Sequence, residues 1–144
     1  MPEMDKSDTE AAIKAAADAF PAFRKLTGRE RSTMLRKWYD LCMENADDLA
    51  KLITWENGKP MADAQGEVKY ASGFFQWFSE EAPRIYGDTI PASIPGNRIY
   101  TIKQPVGVVG LITPWNLYVV YSTTSSQRLT LSIALQLYAI HILC

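Results

Sequence analysis

Residues 105–116 read PVGVVGLITPWN, and this stretch decides the fold class. From Val106 to Ile112 it is apolar and rich in β-branched residues, with only Gly107 and Gly110 between them. A strand apolar on both faces needs both faces covered, as in a parallel sheet flanked by helices. The expected fold is therefore α/β, with this strand among the first of its sheet. The strand runs out at Thr113, Pro114, Trp115 and Asn116. In open α/β sheets, ligands sit at the carboxyl ends of strands. Pro114 fixes its own φ and biases Thr113 toward extended geometry, so the backbone there is held in position. Two readings of this tetrapeptide stay open on residue chemistry alone. It is either a simple strand end, with Trp115 packed and Asn116 in a turn, or the wall of a site.

Upstream, the sequence carries helical punctuation. Ser7 or Asp8 can cap a first helix through TEAAIKAAADAF, which Pro21 should interrupt because proline lacks the amide that a helix interior needs. Thr27 and Glu30 have capping-box spacing and open a second helix. Leu35, Trp38, Cys42, Ala46, Leu49 and Ile53 recur every three or four positions on it, which makes Cys42 a core thiol rather than a nucleophile. ENGKP at residues 56–60 is a turn, with Asn57-Gly58 tolerating positive φ and Pro60 starting the next helix. It is no phosphate loop, since the earlier glycine and the Ser or Thr after the lysine are missing. A third helix over residues 61–82 carries two apolar stripes, Val68/Ala71/Phe75/Phe78 and Tyr70/Phe74/Trp77, and is expected to be buried between elements. YGDTIPASIPGN then reads as a loop or hairpin, followed by the strand-like RIYTIKQP.

The chain has 144 residues, 47% hydrophobic and 22% charged, with 15 Lys+Arg against 16 Asp+Glu and a formal charge of −1. This balance fits an ordinary globular domain and gives nucleic acid no basic footprint. Cys42 and Cys144 have no metal-ligand or redox spacing, so no metal site is expected. The polar, acidic opening MPEMDKSD lacks a secretory or mitochondrial leader pattern, and the expected location is cytoplasmic.

Taken together, ENGKP, FFQWFSEEAPRIYGDTIP and IKQPVGVVGLITPWN resemble the aldehyde dehydrogenase superfamily, and within it the succinate-semialdehyde dehydrogenases, over about residues 8–116. The resemblance implies the N-terminal helices, hairpin and first strands of a truncated Rossmann-type cofactor domain. It also implies a small-molecule aldehyde substrate, succinate semialdehyde from GABA catabolism, and NAD or NADP as cofactor. Ile112, Thr113, Pro114 and Trp115 would line the cofactor site, and Asn116 would donate its side-chain amide to the oxyanion formed on aldehyde addition. In this family a cysteine thiolate adds to the aldehyde, hydride passes to the cofactor, and a glutamate-activated water hydrolyses the thioester. GVVG precedes a strand rather than a helix, so it is not read as a phosphate cradle.

The resemblance stops after Asn116. The family continues with Phe-Pro, whereas Leu117 and Tyr118 follow here, then an apolar tail to residue 144. The expected division is residues 1–116, an incomplete dehydrogenase domain, and residues 117–144, an unrelated tail. A reading-frame change or retained intron would produce such a junction. Residues 129–144 fall short of the roughly 20 needed to span a bilayer, which argues against a membrane anchor. Neither Cys42, Cys144, His141 nor Arg128 stands where the family's catalytic or substrate-binding groups do. The chain is therefore expected to lack activity alone and to melt broadly, because the partners of its last strand lie beyond the resemblance. An alternative role is association with itself or with full-length subunits through residues 88–104, since family subunits oligomerise partly through a similar hairpin.

Overall fold

The computed structural model describes residues 4–111 and 114–117. Four helices come first, α1 (Lys6–Phe23), α2 (Gly28–Glu44), α3 (Ala46–Asn57) and α4 (Met61–Glu81), followed by a 3₁₀ turn (Ala82–Arg84) and a hairpin of β1 (Thr89–Ile90) and β2 (Ile99–Tyr100). A second 3₁₀ turn spans Trp115–Leu117.

The cap of α1 is Asp5 rather than Ser7 or Asp8. Its carboxylate accepts from the amides of Ser7 at 2.6 Å and Asp8 at 3.2 Å, while the Asp8 carboxylate accepts from the Asp5 amide at 2.9 Å. The Ser7 hydroxyl, donating to the Asp5 carboxylate at 2.6 Å, and after it the amides of Asp8 and Ser7 hold the Asp5 carboxyl below its ordinary range. Pro21 does not break the helix where the sequence suggests. It lies inside the last turn, where its fixed φ is already helical and only one intrahelical donor is missing, and the helix ends at Phe23.

The capping box on α2 stands as its spacing predicts. Thr27 Oγ1 accepts from the Glu30 amide at 3.3 Å, and the Glu30 carboxylate accepts from the Thr27 amide at 2.7 Å. The Thr27 backbone bond is also the chief reason that the Glu30 carboxyl lies below its ordinary range. Thr27→Ala is expected to cost about 1 kcal/mol, read as a lowered midpoint in urea with an unchanged m-value.

The long second helix of the sequence reading is in fact two. Asn45 divides them: its side-chain amide donates to the Leu41 carbonyl at 2.9 Å, closing α2 with a group that competes with the helical backbone. The apolar periodicity crosses this break undisturbed, so it registers the buried face but not the bend. α3 ends on Gly58 at φ 75°, a left-handed cap whose amide donates to the Thr54 carbonyl at 2.9 Å. Pro60 then serves as the cap residue of α4, directly before its first turn.

α2, α3 and α4 enclose the core, which includes Leu35, Ala50, Ile53, Ala64, Val68, Ala71 and Phe75. The Trp38 and Phe75 rings stack with centroids 4.4 Å apart. Of the first stripe of α4, Val68, Ala71 and Phe75 are buried and Phe78 is half-buried, whereas the second stripe has no fully buried member. Tyr70 and Trp77 are 62% and 61% exposed, because no described element covers their side of the helix.

The hairpin is antiparallel, pairing Thr89 with Tyr100 and Ile90 with Ile99. Its base is closed by the Thr101 amide donating to the Asp88 carbonyl at 2.8 Å. Gly87 is required there, since a Cβ would lie 1.9 Å from the Thr101 carbonyl oxygen. The apolar run of residues 106–111 is not in a strand, and Val106 is 73% exposed. A parallel strand exists only through neighbours that take its amides and carbonyls, and no such neighbour is among the described residues.

Candidate functional site

The segment that carries the motif is held by a residue far away in sequence. Lys59 leaves the turn between α3 and α4, flanked by Gly58 in the left-handed conformation and Pro60 at φ −55°. Its ammonium forms an ion pair with Glu67 on α4 and donates to the main-chain carbonyl of Asn116 at 2.8 Å. The Lys59 side chain is 15% exposed and that of Glu67 only 3%. A carboxylate so deeply buried needs a compensating charge, and Lys59 supplies it. The other Glu67 oxygen, Oε1, has no hydrogen-bond partner among the described residues.

Of the expected site residues, Ile112 and Thr113 lie outside the described residues. Pro114 and Asn116 are exposed, and the backbone of Trp115 opens the 3₁₀ turn that contains Asn116. Asn116 is thus presented at the surface, with its main chain tied to Lys59. Residue chemistry placed Lys59 in a turn and gave Glu67 no role. The signal in the sequence was an acidic residue spaced one turn from Ala64 and Ala71 on the buried face of α4.

Cys42 is half-buried on α2, and burial is the main effect pushing its thiol up, against a smaller lowering by the Ser72 hydrogen bond. A reactive thiolate needs the opposite environment. Cys144, Arg128, His141 and the rest of residues 118–144 lie outside the described residues. Among the described residues there is no cluster of potential metal ligands, and no helix is long and apolar enough to cross a membrane.

Apolar cavities open on two sides of α4. One, of about 270 Å³, lies between α2, α3 and α4 and is lined by Trp38, Cys42, Ile53 and Phe75 among others. The second lies against the exposed face of α4 at Tyr70, Phe74 and Trp77. Pro114 and Asn116, exposed as they are, do not enclose a dinucleotide by themselves.

Comparison with known proteins gives the segment its context. A family model described as the aldehyde dehydrogenase family matches residues 1–128. The chain is 57% identical over 116 residues to a glutarate-semialdehyde dehydrogenase of Pseudomonas aeruginosa, covering 81% of this chain and 24% of the relative. It is 55% identical to an NADP(+) succinate-semialdehyde dehydrogenase of Escherichia coli, with the same coverage of 81% and 24%. Its structure is similar to that of a succinate-semialdehyde dehydrogenase from Burkholderia pseudomallei, with a TM-score of 0.89 at 40% identity over 93% of this chain and 28% of that one. An NADP-dependent enzyme of E. coli aligns with a TM-score of 0.88 at 49% identity, over 92% of this chain and 27% of that one. The chain spans about a quarter of the length of the curated relatives it matches. The helices, the hairpin and the segment ending at Asn116 are therefore part of an α/β dehydrogenase fold, and the chain belongs to the aldehyde dehydrogenase family.

Proposed function

We propose that residues 1–116 supply part of an NAD(P)-dependent semialdehyde dehydrogenase, with residues 117–144 lying outside that unit. The part bears the oxyanion-stabilising Asn116 and one wall of the nicotinamide site at residues 112–115. The substrate class is an ω-carboxylated aldehyde such as succinate semialdehyde or its homologue glutarate semialdehyde, oxidised to the dicarboxylate in the cytoplasm. The observation that carries this reading is the 55–57% identity to curated dehydrogenases with these substrates in their names.

Asn116 suits the role because its carboxamide donates without carrying charge. As a nucleophile adds to the aldehyde carbon, charge gathers on the carbonyl oxygen, and a fixed N–H there stabilises the transition state more than the ground state. The 144-residue chain has no turnover alone: of its two thiols, Cys42 is half-buried on α2, where burial disfavours the thiolate, and Cys144 does not resemble the family nucleophile. The nicotinamide site is completed only in the assembled dehydrogenase. Exposed Tyr70, Trp77, Ile102 and Val106 support a unit that is completed by further polypeptide.

The test joins residues 1–116 to the downstream portion of the E. coli succinate-semialdehyde dehydrogenase and follows NADPH formation. The chimera is expected to oxidise succinate semialdehyde, and the isolated chain to produce none. A folded but inert chimera would remove the dehydrogenase reading, while turnover by the isolated chain would remove its inactivity.

A second reading, association with full-length subunits or with itself through residues 88–104, is favoured by the hairpin, where Ile90, Ile94, Ile99, Tyr100 and Ile102 are exposed. Co-elution of the chain with the E. coli enzyme on size exclusion supports it. Separate elution at micromolar concentrations rejects it.

A further inference from the structure

We propose that Lys59 is a positioning residue for Asn116: held by the buried carboxylate of Glu67, its ammonium grips the Asn116 main-chain carbonyl and sets where the side-chain amide is presented. The inference rests on the oxyanion role given to Asn116, and it assigns a purpose to the ENGKP turn.

A lysine side chain is ordinarily solvated and mobile, and tethering it costs rotamer entropy. Three features offset that cost here. Its root is restrained by the left-handed Gly58 on one side and Pro60 on the other. Its charge is the counterion of a carboxylate with 3% exposure, so withdrawal of Lys59 would strand a buried anion. Its remaining donors point onward, and one reaches Asn116 across 57 positions of sequence at 2.8 Å. Charge-assisted bonds of this kind are stronger than neutral ones.

The bond falls on the peptide that follows Asn116, so it fixes the plane between Asn116 and Leu117 and hence the backbone from which the carboxamide projects. Oxyanion donors act only within a narrow range of distance, and small misplacements lower the rate steeply. Neither the turn nor the strand end supplies this restraint alone. Lys59, placed by the junction of α3 and α4, joins the helical layer to the catalytic segment.

The experiment uses the full 144-residue chain, labelled with nitrogen-15, and measures order parameters for the Leu117 backbone amide and the Asn116 side-chain amide. Lys59→Met alone leaves Glu67 as an uncompensated buried charge and risks unfolding, so the informative variant is Lys59→Met/Glu67→Gln, which removes both charges together. In it the order parameter at Leu117 is expected to fall from near 0.85 to below about 0.6, with α2 and α4 resonances unmoved. Lys59→Arg, which retains a cationic donor, is expected to hold Leu117 ordered. Wild-type order at Leu117 in the double variant would overturn the proposal, as would equal loss in Lys59→Arg with the helices intact. These measurements report the anchor whether or not Asn116 takes part in chemistry. An Asn116→Ala substitution in the chimera reports the chemistry whether or not the anchor exists, so the two ideas fail separately.

Discussion

Asn116→Ala, introduced into the chimera with the E. coli dehydrogenase, is expected to lower kcat by roughly 10²- to 10³-fold while leaving KM for succinate semialdehyde nearly unchanged. The loss falls on kcat because the amide meets full charge only after the nucleophile has added. The ground-state aldehyde oxygen is a weaker acceptor, so binding suffers less. Asn116 is exposed in the described structure, so its removal opens no cavity and leaves no buried partner unsatisfied. The kinetic loss should therefore come without loss of stability. A proportional rise in KM at constant kcat would place Asn116 in substrate binding, and an unaltered kcat would remove it from the oxyanion site.

Phe75→Ala is expected to destabilise the helical unit by about 3–5 kcal/mol, the range for deleting a buried aromatic ring. Phe75 is a core residue on α4, and its ring stacks on Trp38 from α2. Its removal would enlarge the apolar cavity of about 270 Å³ that it already lines. Small domains hold only about 5–15 kcal/mol in total, so much of the helical signal should be lost at 37 °C. Phe74→Ala serves as the control: on the neighbouring face it touches Tyr70 edge-on at 5.0 Å and is only half-buried. Far-ultraviolet circular dichroism against urea distinguishes them, and equal losses would show that the two faces of α4 contribute alike.

Much of the helical layer was legible because its signals are local. The Thr27–Glu30 capping box, the Asn57-Gly58 turn and the bounds of α4 depend on residues within one or two turns of each other. The misreadings were local competitions settled by geometry. Asp5 took the α1 cap because its carboxylate reaches two free amides at once, and Asn45 split a continuous apolar stripe because its side chain claimed the Leu41 carbonyl. The burial of the second α4 stripe and the strand at residues 106–111 could not be read this way. Both depend on elements that must lie alongside, and none is among the described residues.

By itself the sequence determined the family and the greater part of the helical layer, since both are written in contiguous motifs whose physics acts over a few residues. Only the tertiary structure brought Lys59, Glu67 and Asn116 to one point. An ion pair across 8 positions and a carbonyl contact across 57 leave no periodicity in a sequence, because their energy depends on separation in space. That separation is fixed only when the turn between α3 and α4 is folded against the segment it holds.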